Sequence, residues 1–204
     1  MAPFTPPFTR LAAVAVPLDL ANVDTDQIIP ARYLGRTRAE QVEGMFHDLA
    51  LDAQGRPRAD FPLNQPAFAG ARILVADRNF GCGSSRENAV TVMVDRGFQV
   101  FIAPSFGDIF FNNCFQNGVL PIRLPVPRVE ALRAALRAAP GATIDVDLPS
   151  QTVRGPDGGV DGFDIDSFRK DCLLQGVDEI TMTLGHEAEI AAFEARRERD
   201  GWTV

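Results

Sequence analysis

Residues 71–88 read ARILVADRNFGCGSSREN, an apolar run that stops at a turn carrying two glycines, two serines and an arginine. The run over 71–76 is continuous in β-prone and small apolar residues, as expected of a strand buried on both faces. The turn then feeds a helix predicted from about Ser85. The same alternation continues downstream, with strand 98–103, helix 105–116, strand 119–124 and helix 127–138. Strands alternating with helices define an α/β layer structure with parallel strands.

Upstream, Leu11 to Val16 is a short β-like run, and ANVDTDQIIPARYL after it is a polar turn best placed in a loop. Residues 37–51 have helical spacing at Val42, Met45, Phe46 and Leu49, whereas 52–70, with three prolines, is loop-like. Beyond Pro140 the text changes. TIDVDL and a GPDGG turn predict a β-hairpin, and SFRKDCLLQG and HEAEIAAFEARRERDG predict two helices. A chain of 204 residues is thus expected to form one domain, with a core over about 11–140 and an α+β extension over about 141–204.

Several classes are disfavoured by composition. The net charge of −7 opposes non-specific binding to nucleic acid or an anionic membrane. No apolar run approaches the roughly 20 residues of a membrane span. The first 20 residues lack a basic region ahead of their apolar stretch, which Pro17 and Asp19 interrupt, so no secretory signal is expected. Cys82, Cys114 and Cys172 are an odd and widely spaced set, unsuited to a disulfide framework, and a reducing cytoplasm fits them best. Nineteen of the 20 basic residues are arginine, a bias that carboxylate recognition or a GC-rich genome would equally produce.

The glycine turn admits two readings. A turn between strand and helix places backbone N–H groups at a helix N-terminus, a geometry that binds anions, with Gly81 and Gly83 allowing close approach, Ser84 and Ser85 adding hydroxyls and Arg86 a carboxylate-binding fork. Alternatively, Ser84-x-x-Glu87 is a capping box with no ligand. Neither the phosphate-loop nor the dinucleotide fingerprint is present. Cys82 would need a histidine to act as a nucleophile, and His47 and His186 both fall in helical segments. The three cysteines stand singly, so no metal is expected on this chain unaided.

Three stretches, NVDTDQIIPARYL at 22–34, NFGCGSSREN at 79–88 and GFQVFIAPSFGDIFFNNCFQNGVLPIRL at 97–124, together resemble the small-subunit family of bacterial 3-isopropylmalate dehydratases. The likeness extends through FDIDSFRKDCLLQGVDEITMTLGHEAEIAAFEA and covers about 180 residues in order, far more than one motif. It implies the three-layer β/β/α swivelling domain of the aconitase superfamily, with a mixed sheet plus a C-terminal hairpin and helices. It also implies half an enzyme: a hydro-lyase whose 4Fe-4S cluster is held by a separate large subunit. The implied reaction isomerises 2-isopropylmalate to 3-isopropylmalate in leucine biosynthesis, by loss and re-addition of water.

By the same resemblance Ser84 is the base, its alkoxide stabilised by helix-end N–H groups and nearby cations. Arg86 takes a substrate carboxylate, Ser85 and the backbone at Gly83 assist, Asp26 lines the site and Thr25 orients the loop around it. Arg32 and Arg36 are both candidates to grip a second carboxylate. Asn88 stands where the family usually has histidine, on the first turn of the helix behind the catalytic loop, and RYLGRTRAEQVEGMF departs from the common bacterial text. A hydratase of citraconate, dimethylmalate or another substituted malate is therefore an alternative, and a non-catalytic anion-binding module is a second.

Overall fold

A computed structural model describes residues 5–199 and 201. Seven strands, β1 (Arg10–Leu18), β2 (Ile73–Ala76), β3 (Val100–Ala103), β4 (Leu120–Arg123), β5 (Thr143–Asp147), β6 (Thr152–Arg154) and β7 (Val160–Gly162), form one sheet in the order β4-β3-β2-β1-β5-β6-β7. The half from β4 to β1 is parallel; β5, β6 and β7 are antiparallel. The pivot is β1, which pairs with β5 over Arg10–Val14 and with β2 over Ala15–Leu18. Pro17 lies where β5 no longer covers β1, and Pro121 lies on the edge strand β4, so neither missing N–H breaks a ladder.

The helices in chain order are α1 (Thr25–Ile28), α2 (Arg38–Glu43), α3 (His47–Ala50), α4 (Asn88–Asp95), α5 (Asp108–Gln116), α6 (Val126–Ala138), α7 (Ser167–Gln175), α8 (Glu179–Leu184) and α9 (Glu187–Arg199). Among the described residues no helix is long and apolar enough to cross a membrane.

Alternation along the strands divides the interior in two. Leu74, Ala76, Phe101 and Ala103 face one core, completed by Val90 and Met93 of α4 and by Phe110 and Cys114 of α5. Ile73, Val75, Val100, Ile102, Leu120 and Ile122 face the other, which also collects Ile144 and Val146 of β5 and Val153 of β6. Helix α6 closes this second core with Val129, Leu132 and Leu136. The two halves of the sheet therefore share a core, and the mixed α/β layering matches the expectation.

Local chemistry moved several boundaries. The single helix expected over 37–51 is two: Gly44, still helical in φ and ψ, packs against the Tyr33 ring, and the helical path breaks at Phe46, which takes a left-handed φ of 54°. That conformation costs a bulky residue about 1–3 kcal/mol; Phe46 is fully buried and its N–H donates to Ile28 O at 2.8 Å, which holds it there. The loop expected at 22–34 contains α1, nucleated by a capping box in which Asp24 and Gln27 exchange side-chain and backbone bonds. The GPDGG turn joins β6 to β7, while a tighter turn joins β5 to β6.

Candidate active site

Parallel neighbours β1 and β2 end side by side, so the segments leaving them meet at the carboxyl edge of the sheet, where α/β proteins place ligands. Asp24 and Cys82 form an isolated parallel bridge, with Gly81 N–H donating to Val23 O at 2.7 Å and Thr25 N–H to Cys82 O at 2.9 Å. A second bridge, Phe80 with Phe106, secures the turn to the segment after β3. Gly81 has φ +72° and Gly83 φ +92°, so both turn glycines occupy the left-handed region.

Thr25 is the buried polar residue beneath the turn, 2% exposed. Its hydroxyl donates to Ser84 O at 3.0 Å and lies 3.3 Å from Ser84 Oγ. Thr25→Val keeps the shape and removes this bond. It is expected to cost about 1 kcal/mol, read as a fall of about 3 °C in Tm; an unchanged melting curve would mean the bond carries no weight.

Ser84 and Ser85 are exposed, and the helix expected from Ser85 begins only at Asn88. The capping box is not made, because both side chains are engaged elsewhere: Ser84 Oγ faces Thr25, and Glu87 accepts from Asn117 Nδ2 at 3.2 Å. The first helical amides are also occupied, with Ala89 N–H donating to Arg86 O and Val90 N–H to Glu87 O. The helix end is thus not the source of donors around Ser84. The turn itself is: among the described residues, none of the backbone N–H groups from Gly83 to Asn88 donates to a protein acceptor. Consecutive free amides in a turn make an anion-binding concavity without a helix.

Arg86 and Asp26 are brought together. Arg86 Nη1 pairs with the Asp26 carboxylate and reaches Ile29 O at 3.4 Å, whereas Nε and Nη2 have no protein partner among the described residues. One nitrogen anchors the guanidinium and the rest of its fork remains available to an anion. Arg32 and Arg36 are engaged differently. Arg32 donates from both terminal nitrogens to Asp48, and its bond holds that carboxyl down at a pKa of about 2. Arg36 pairs with Glu40 at 3.7 Å, and both guanidinium groups lie over the Tyr33 ring, 5.3 and 5.2 Å from its centroid. Neither is hydrogen-bonded to the serine turn.

Burial, then the charge of Asp24, raises the Cys82 thiol, and neither histidine bonds it: His47 contacts Arg32 and Asp48, and His186 contacts Glu189. A Cys-His pair is not assembled. Among the described residues no group of three or more His, Cys, Asp or Glu could hold a metal ion, and the three cysteines are free thiols, two of them buried. This donor set does not fit an iron–sulfur cluster. Sequence reasoning missed Gln41, Asn117 and Ile29 O, supporting groups whose partners Asn88, Glu87 and Arg86 lie far along the chain.

The part of the chain that carries the parallel half of the sheet and the serine turn at its carboxyl edge is of the aconitase C-terminal domain class, whose family matches residues 5–127. Residues 130–167 match the LeuD_N family, and 179–200 match the C-terminal domain family of the 3-isopropylmalate dehydratase small subunit. The chain belongs to the 3-isopropylmalate dehydratase small-subunit family. It is 50% identical over 192 residues to the 3-isopropylmalate dehydratase small subunit of Parvibaculum lavamentivorans, covering 94% of this chain and 96% of that one. It is also 50% identical over 199 residues to that of Rhodospirillum centenum, covering 97% and 98%. The crystal structure of 3-isopropylmalate dehydratase from Methanocaldococcus jannaschii shares the fold, with a TM-score of 0.62, 23% identity, and coverage of 92% of this chain and 99% of that one.

Proposed function

We propose that this chain is the small subunit of a two-chain hydro-lyase that isomerises 2-isopropylmalate to 3-isopropylmalate in leucine biosynthesis, in the cytoplasm, a compartment that suits three unpaired thiols. The names borne by relatives 50% identical over nearly the full length carry the reading. The iron–sulfur cluster implied by the aconitase likeness is assigned to the large subunit.

This chain supplies positioning and proton transfer. Ser84 Oγ, exposed above Thr25, removes the proton next to a substrate carboxylate and returns one on re-addition. An alkoxide there is supported by the unpaired amides of Gly83 to Asn88 and the charge of Arg86. The open edge of the Arg86 fork binds a carboxylate, with Ser85 and the Gly83 backbone beside it and Asp26 fixing the guanidinium from behind. Thr25 holds the Ser84 carbonyl. The loop bearing Arg32 and Arg36 borders the site through Ile29 and meets the substituent that distinguishes one malate from another; of the two, Arg36 is the candidate for the second carboxylate, because its ion pair is the longer.

The purified chain mixed with its large subunit is expected to turn over 2-isopropylmalate, each chain alone being inactive. Citraconate and dimethylmalate should react more slowly, within the about 10–200-fold that one small apolar group provides. A preference for either of these would reassign the substrate, and no hydratase activity on any of the three would leave an anion-binding module.

A further inference from the structure

The 29–36 segment is tied to the serine turn at both ends. At its start, Ile29 O accepts from Arg86 Nη1 at 3.4 Å. At its end, Gln41 Nε2 donates to Leu34 O at 3.2 Å and to Arg36 O at 3.1 Å, while Gln41 Oε1 accepts from Asn88 Nδ2 at 3.0 Å. Arg86 and Asn88 are two residues apart, so the chain of bonds closes a ring around the loop. Two carbonyl acceptors require that Gln41 present its NH₂ to the loop, which leaves only its oxygen for Asn88 and requires Asn88 to donate. The orientation of each amide is dictated by the other.

We infer that Asn88 and Gln41 are positioning residues: through this amide pair they fix the 29–36 loop, and with it Arg32 and Arg36, in register with Ser84 and Arg86. The inference rests on the proposed hydro-lyase reading, in which that loop meets the substrate. The polar side chains just before Gln41 in sequence are engaged elsewhere, Arg38 with Asp95 and Thr37 with Glu40.

Asn88→Asp tests the pair with almost no change of volume. A carboxylate cannot donate to Gln41 Oε1; the Gln41 amide must turn its NH₂ toward Asp at 88 and abandon both loop carbonyls. Because Arg36 O is itself one of those carbonyls, trypsin cleavage after Arg36, followed by mass spectrometry on the full chain, reports its release. Expected are a roughly tenfold faster cleavage at that bond, as for the loss of two neutral hydrogen bonds, and in the two-chain enzyme a KM for 2-isopropylmalate raised by a similar factor with kcat within about twofold. Gln41→Met should behave alike, and N88D/Q41K, whose ammonium can donate to the carboxylate and both carbonyls, should restore both readouts. Unchanged cleavage after Arg36 in both single variants, an unchanged KM, or a double variant that recovers the wild-type cleavage rate without recovering KM would overturn the inference. Absence of turnover by the wild-type pair would instead overturn the hydro-lyase reading, with the cleavage pattern still reporting the clamp.

Discussion

Ser84→Ala in the two-chain enzyme is expected to lower kcat by about a hundredfold to ten-thousandfold, the range in which a positioned general base operates, while stability changes by no more than about 0.5 kcal/mol. The asymmetry follows from the geometry. The Ser84 side chain is exposed and, among the described residues, its hydrogen-bond partner is Thr25 Oγ1 at 3.3 Å, whereas the shorter bond from that hydroxyl goes to the Ser84 carbonyl, which alanine retains. Arg86 keeps its anchor on Asp26 and Ile29, so KM should change little. Exchange of the substrate's carbon-bound proton with deuterated solvent should disappear with turnover, because the same oxygen would carry the proton in both directions. Turnover within about threefold of wild type would remove Ser84 from the mechanism, since a displaced general base leaves at least the lower end of that range.

Most of the parallel half was legible in the sequence because its strands are continuous apolar runs between turn residues, a pattern that tolerates one reading once helices alternate with them. What the sequence left open was decided by contacts between distant residues. The Ser84-x-x-Glu87 signature suggests a helix cap, and a local pattern cannot reveal that Asn117 claims Glu87 and Thr25 claims Ser84. Likewise, helical spacing over 37–51 is real on both sides of Gly44, but the bond from Phe46 N–H to the distant Ile28 O holds Phe46 in a left-handed conformation that no helix continues through. The family likeness placed Thr25, Asp26, Ser84 and Arg86 together, and the structure does bring these four to one edge. Arg32 and Arg36 could not be ranked from sequence, because Asp48 and Glu40, which engage them, carry no mark that distinguishes them from other surface acids.

Gly81→Ala should be the most destabilising single change in the turn, costing about 2–5 kcal/mol when the left-handed conformation and overpacking are combined. That corresponds to a fall of roughly 10 °C in Tm for a chain of this size. A Cβ at Gly81 would lie 2.2 Å from Phe110 Cγ. Phe110 cannot yield cheaply: it is 1% exposed, edge-on to Phe80 at 5.3 Å, stacked on Phe106 at 6.4 Å and packed on Phe101 at 5.6 Å. The opposite wall is equally close, for Gly107 approaches so tightly that a Cβ there would sit 2.4 Å from Gly81 O. Gly55→Ala isolates the backbone contribution, since Gly55 has φ +74° with nothing within 4 Å of a built Cβ, and it should cost only about 1 kcal/mol. If packing supplies the difference, Phe110→Leu combined with Gly81→Ala should be less damaging than the two single costs added, because the smaller side chain vacates the space the new methyl needs. Equal melting temperatures for Gly81→Ala and Gly55→Ala would mean that the aromatic core does not set the position of the serine turn, and the rigidity required to aim Ser84 would have to come from Thr25 and the Asp24 bridge alone.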